Sequence, residues 1–206
     1  MNIKGFTLIE AMVAIAIIAL AIVGPMYAAN SSIVAAELAS DQLTASYLAQ
    51  EGIEYVRTMR DDAYLSAYAA PNNTGNNVSQ EGWDNFVSGN NSITSIKQCG
   101  LSSSAKECTL DPLLQPMCVG SNNCSLTTCS SNGNGNACGP LYLTSNSIYT
   151  TQATIGGIAN TATPFTRTIQ ANTISSNEVS ITSTVEWSFH GSNYSEIVTD
   201  NLTPWQ

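Results

Sequence analysis

The sequence predicts an α+β protein, a long N-terminal helix whose outer half lies across a C-terminal antiparallel sheet. Three patterns carry that prediction. Ala11 to Ala29 holds no charged residue. Leu43, Tyr47, Glu51, Tyr55 and Met59 recur every four residues, with Leu48, Gly52 and Val56 beside them, which describes one face of a helix. Val179, Ile181, Ser183, Val185, Trp187 and Phe189 alternate with Ser180, Thr182, Thr184, Glu186 and Ser188, the mark of a strand packed on one side and wet on the other.

The uncharged run comes first. Nineteen helical residues span roughly 28 Å, close to a hydrocarbon core about 30 Å thick. Glu10 stands at its head, where an unpaired carboxylate is costly enough to suggest a function. A secretory signal would have a shorter apolar core and a small-residue cleavage site, and Pro25-Met26-Tyr27-Ala28 is a poor one. Gly24-Pro25 is the expected kink, because proline removes a helical hydrogen bond and crowds the preceding turn.

Gly5-Phe6-Thr7-Leu8-Ile9-Glu10 resembles the processing site of type IV pilins and type II secretion pseudopilins. The resemblance implies a type IV pilin-like fold and a leader, residues 1–5, removed by a prepilin peptidase after Gly5. It implies that Phe6 becomes the N-methylated first residue and that Glu10 is the assembly carboxylate. A carboxylate paired with a neighbour's α-ammonium in a filament core relieves two desolvation penalties at once. The implied partners are the prepilin peptidase, other pilin or pseudopilin subunits, membrane lipid before assembly, and an inner-membrane assembly platform. The segment Ala45–Glu54 and the ending Leu202-Thr203-Pro204-Trp205 are similar to minor pilins, and the former also to the minor pseudopilin I group.

Six Lys and Arg stand against fifteen Asp and Glu, a net charge of −9 with no basic patch, so direct nucleic-acid binding is not expected. Lys4 precedes the apolar run whereas Glu37 and Asp41 follow it. The positive-inside bias then places the N-terminus in the cytoplasm and the head outside, in the periplasm or on an extracellular filament.

After the filament-core segment, residues 6–29, the outer half of the helix is expected over residues 30–66. Glu54 can pair with Arg57 and Arg57 with Asp61 at helical spacing. Asp61-Asp62 and the Pro71-Asn72-Asn73-Thr74-Gly75 turn are the stop signal, giving one helix on the order of 90 Å long.

Residues 71–140 are expected to be a loop-rich insertion anchored by Trp83, Phe86, Val87, Ile93, Ile96, Leu113 and Leu114. Cys99, Cys108, Cys118, Cys124, Cys129 and Cys138 all fall here, with no C-x-x-C spacing, so a zinc site is disfavoured. An even count outside the membrane reads as up to three disulfides, in any of fifteen pairings, stapling a segment too polar to form its own core. No cofactor is expected. Calcium at Asp84 and the Asn-rich loops, which some pseudopilins bind through head oxygens, lacks a D-x-[DN]-x-[DN]-G loop here.

Residues 141–206 are expected to form the sheet, with strands at Leu141–Leu143, Ser147–Tyr149, Phe165–Ile174, Glu178–Phe189 and Tyr194–Thr199, and a turn at His190-Gly191-Ser192-Asn193. One histidine and no nucleophile constellation argue against an enzyme. Two functions are compatible with the pattern. One is a structural filament subunit; the other is a membrane-tethered binding or adhesin domain stapled by disulfides.

Overall fold

A computed structural model describes Gly5 and residues 7–70, 77–89, 96–100, 107–114, 126–129 and 138–204. The chain divides into two units, Met1–Leu43 and Thr44–Gln206. Helix α1, Leu8–Tyr68, runs through both. It continues past Asp61-Asp62, two residues beyond the expected end at residue 66, because two acids near a C-terminus weaken a helix without breaking it and Ala63 and Ala67 are buried. The helix is also unbroken at Pro25.

In the second unit, the seam of α1 is Ala45, Leu48, Ala49, Gly52, Ile53, Val56, Met59, Ala63 and Ala67. The expected stripe is therefore rotated, with Leu43 and Tyr47 exposed. Small residues win the seam because they let the helix axis approach the sheet. At Gly52 an added Cβ would lie 2.5 Å from Ser183 Oγ and 3.0 Å from Ile169 Cδ1.

Helix α2, Val78–Ser88, corrects the loop reading of residues 71–140. Its buried residues Val78, Gly82, Trp83 and Phe86 have helical spacing, but the Asn- and Gly-rich flanks obscure it. Gly82 lets α2 meet α1, since a Cβ there would stand 2.8 Å from the Tyr64 Cα. Trp83 donates its indole N–H to Ser176 O at 3.0 Å, which removes the penalty for burying it.

The strands are β1 (Cys108–Leu110), β2 (Leu126–Thr128), β3 (Tyr142–Leu143), β4 (Tyr149–Thr150), β5 (Thr154–Ile155), β6 (Ile158–Ala159), β7 (Thr161–Ala162), β8 (Thr166–Ser175), β9 (Glu178–Phe189) and β10 (Ser192–Leu202). The main sheet has the order β10-β9-β8-β1-β2, all antiparallel. A smaller sheet, β4-β3-β7, and the β5–β6 pair lie beside it in sequence. Two of the five main strands thus come from the segment expected to be loop. Ser147 sits in a turn at φ 61 rather than in a strand. His190 and Gly191, at φ 49 and 81, make the two-residue turn that joins β9 to β10.

The β9 alternation lands as expected, with Val179, Ile181, Ser183, Val185 and Trp187 buried. They pack with α1, α2 and β8 in two clusters, one around Ile53, Val56, Met59, Trp83, Phe86 and Ile181, the other around Leu48, Leu141, Phe165, Val185 and Trp187.

Candidate functional site

The candidate site is the N-terminal motif, together with the apparatus that fixes α1 on the head. At the motif, Glu10 N and Ala11 N donate to Thr7 O at 3.1 and 3.2 Å, so Thr7 starts the helix and Glu10 stands in its first turn. A carboxylate there faces the positive end of the helix dipole. Glu10 is exposed, and its carboxylate has no hydrogen-bond or ion-pair partner among the described residues. Gly5 is exposed too, with nothing within 4 Å of where a Cβ would stand. Phe6, the expected methylation site, lies outside the described residues.

From Leu8 to Leu43 no residue is buried, and the exposed side chains include Ile9, Met12, Ile15, Ile17 and Ile18, which point to different sides of α1. Its most apolar 18-residue window has none of its residues buried, and the helix is long and apolar enough to cross a membrane. A helix apolar on every side must be covered by lipid or by other helices. Ser31 and Ser32 turn their hydroxyls back onto Ala28 O, at 3.0 and 2.8 Å, and so add little polarity to that surface.

On the head, Arg167 is fully buried and reaches across three elements. Its Nη1 donates to Leu48 O at 3.0 Å and to Glu51 Oε2 at 2.6 Å, and its Nη2 donates to Leu110 O at 2.7 Å. It thereby ties α1 and β1 to β8. Sequence reading passed over it, yet the signal was there: Arg167 shares strand parity with Ile169 and Ala171, so it points inward and needs an acid. Glu51, on the helix face, is that acid.

Arg57 pairs with Glu54, as its spacing predicts, but its other partner is Asp200 on β10 at 3.0 Å rather than Asp61, which Arg60 takes at 2.9 Å. The strand offers a better-placed carboxylate than the next helical turn. The hydrogen bond that Arg57 donates to Asp200 raises the Arg57 pKa, while burial, followed by the neighbouring Asp61, raises that of Asp62.

Asp111 is buried and accepts five hydrogen bonds. Thr150 Oγ1 (2.8 Å), Thr151 Oγ1 (2.9 Å), Gln152 Nε2 (3.1 Å) and Thr151 N (3.3 Å) donate to one oxygen, and Leu113 N (3.0 Å) to the other. With donors filling its lone pairs, it is a structural knot that pins β4 and the chain after β1.

Cys99 pairs with Cys108 and Cys129 with Cys138, with Cα atoms 5.3 and 4.7 Å apart. Cys118 and Cys124 lie outside the described residues. The first disulfide does not staple a coreless insertion: both sulfurs are buried in the main core. Next to it, Gly100 has φ 141, and a Cβ there would stand 2.1 Å from Ala171 O, so the chain passes hard against β8. Asp84, the calcium candidate, accepts from Gln80 at 2.9 Å on the surface of α2. Among the described residues no three His, Cys, Asp or Glu are grouped to hold a metal. His190 occupies the turn and stacks on Phe189 with ring centroids 4.2 Å apart.

Residues 1–24 match a family model described as the prokaryotic N-terminal methylation motif, the signal of type IV pilins and pseudopilins. No curated protein and no solved structure matches the chain significantly.

Proposed function

We propose that this type IV pilin-like protein, which carries the prepilin-peptidase processing signal, is a minor subunit of a type IV pilus or type II secretion-like filament. Processing after Gly5 frees the α-amino group of Phe6, which is then methylated. The subunit waits in the inner membrane with its N-terminus inside and its head outside, then enters the filament through the apolar half of α1. Gly24-Pro25 supplies the weak point at which that helix loosens on packing.

One observation carries the reading: a charge-free apolar helix surface with no cover of its own, headed by a single unpartnered carboxylate. In lipid that carboxylate is a liability. Among packed helices it becomes an asset, because pairing with the α-ammonium of a neighbouring subunit stabilises both buried charges and sets the axial register.

The test has two arms. Co-expression with a prepilin peptidase should yield an intact mass that begins at Phe6, with or without a methyl group. Glu10→Ala should then leave membrane insertion intact and reduce filament incorporation at least tenfold, scored by immunogold labelling of sheared filaments. An uncut chain, or undiminished incorporation of Glu10→Ala, would instead leave a tethered binding domain.

A further inference from the structure

The main sheet ends on β10, and among the described residues nothing pairs with that edge. β10 pairs with β9 through eleven consecutive residue pairs, from Ser192↔Phe189 to Leu202↔Val179, without a bulge. A two-residue turn makes Phe189 and Ser192 a hydrogen-bonded pair. Even-numbered residues of β10 therefore aim their N–H and C=O groups at β9. Asn193, Ser195, Ile197, Thr199 and Asn201 aim theirs outward. None of these five has a backbone hydrogen-bond partner among the described residues.

Exposed edges are normally blunted by proline, charged side chains, a bulge or a short strand. β10 has no proline, lysine or bulge and is eleven residues long, so charge is the device it carries. Its two charges, Glu196 and Asp200, both sit on the face toward α1, and Arg57 holds the second. On the outer face the β10 side chains are hydroxyls and amides with one apolar exception. Ile197, at the midpoint of the strand, is 59% exposed.

We infer that β10 is a self-complementary edge that pairs antiparallel with β10 of a second copy of this chain, with Ile197 on the two-fold axis. In that register Ile197 meets the partner's Ile197, Ser195 meets the partner's Thr199, and Asn193 meets the partner's Asn201. Glu196 faces the partner's Val198, and Asp200 faces the partner's Tyr194. The five outward residues of each copy supply about ten hydrogen bonds. Charge selects this register over its neighbours. A shift of one hydrogen-bonding step places Glu196 opposite the partner's Glu196 in one direction and opposite the partner's Asp200 in the other, and like charges directly opposite destabilise a sheet.

Such a contact joins two five-stranded sheets into one and closes on two copies, so it does not propagate a helix. The axis is perpendicular to the sheet, which keeps both α1 segments on the same side but running in opposite directions. The Thr44 ends therefore point apart. The pairing goes beyond the filament reading and requires neither processing nor Glu10.

Sedimentation velocity of the full chain in detergent micelles, over a range of concentration and salt, tests the pairing. The wild type should show a monomer–dimer equilibrium that tightens with salt, as Glu196 of the two copies is screened. Ile197→Pro removes one outward N–H and leaves the β9 ladder whole. It should weaken dimerisation at least tenfold with an unchanged near-UV circular dichroism spectrum. A dimer held by the apolar helix would survive that substitution, and this result, like a monomer at every concentration, overturns the proposal. Amide exchange of the wild type provides a reading that needs no variant. Rising concentration should slow exchange at Asn193, Ser195, Ile197, Thr199 and Asn201 while leaving Tyr194, Glu196 and Val198 as they were; unaltered exchange at the five overturns it equally.

Discussion

Between Leu8 and Leu43, α1 carries Ile, Leu, Val and Met on every side and buries none of them. Between Thr44 and Tyr68 the same helix carries Ala45, Ala49, Gly52, Ala63 and Ala67, and buries them all. Between those small residues it buries Leu48, Ile53, Val56 and Met59 as well, so only the second segment has a face that the chain itself covers. The first segment is built to be covered by something outside the chain, where many large apolar groups suit lipid or helices of any subunit. The second is fitted to one surface, its own sheet, where a close axis matters more than the size of any side chain. A helix's apolar content tells that it will be covered; complementarity tells by what.

The division makes the two segments separable by mutation. Arg167→Ala should have the largest effect on the head, because it leaves Glu51 without its cation and Leu48 O and Leu110 O without their donor. Glu51 is 40% exposed and can be rehydrated, so the loss comes mainly from the cavity and the carbonyls left by a fully buried side chain, about 2–5 kcal/mol. Urea unfolding of the full chain in detergent should show that loss, while Glu10→Ala leaves the same midpoint unmoved. If both substitutions shift the midpoint, the two segments do not bury independently.

Gly52→Ala should come next, at about 1–3 kcal/mol, from forcing a methyl group against Ser183 Oγ and Ile169 Cδ1. Ser183 Oγ is buried without a partner, so Ser183→Ala should be neutral or stabilising by itself. In a double-mutant cycle it should recover part of the Gly52→Ala loss. Strict additivity would show that the clash lies with Ile169.

The smallest effect belongs to Asp62. Burial and Asp61 hold its folded pKa above the ordinary carboxylate value, so folding favours its protonated form. That contribution is fully present below the unfolded pKa and is lost as pH rises through the folded one. At neutral pH Asp62→Asn should stabilise the head by less than about 1 kcal/mol, given solvent screening of a partly exposed group. The advantage should vanish on acidification through the carboxylate range. A gain that is independent of pH would point to helix propensity instead.

Where sequence patterns are local, they were legible. The β9 alternation and the turn opening at His190 are properties of neighbours along the chain, and both appear, although Ser192 and Asn193 belong to β10 rather than to the turn. Helix α2 was harder, because Trp83 and Phe86 lie in eleven residues between Asn-rich stretches, too short a window for the period to stand out. At the candidate site the motif around Gly5, Phe6 and Glu10 is wholly a matter of sequence, and the structure adds the bare apolar surface that follows it.

By itself, then, the sequence determined the processing signal, the apolar length of α1, the two-residue period of β9 and the cysteine count, each of which is written in consecutive residues. Tertiary structure alone decided which face of α1 is buried, that Leu48, Glu51 and Leu110 are the partners of Arg167, that β1 and β2 extend the sheet from within a polar segment, and that Cys99 joins Cys108 in the core. These depend on pairs from 9 to 119 residues apart. Such pairs are selected by shape and by the need to satisfy every buried polar group, and neither demand leaves a period along the chain.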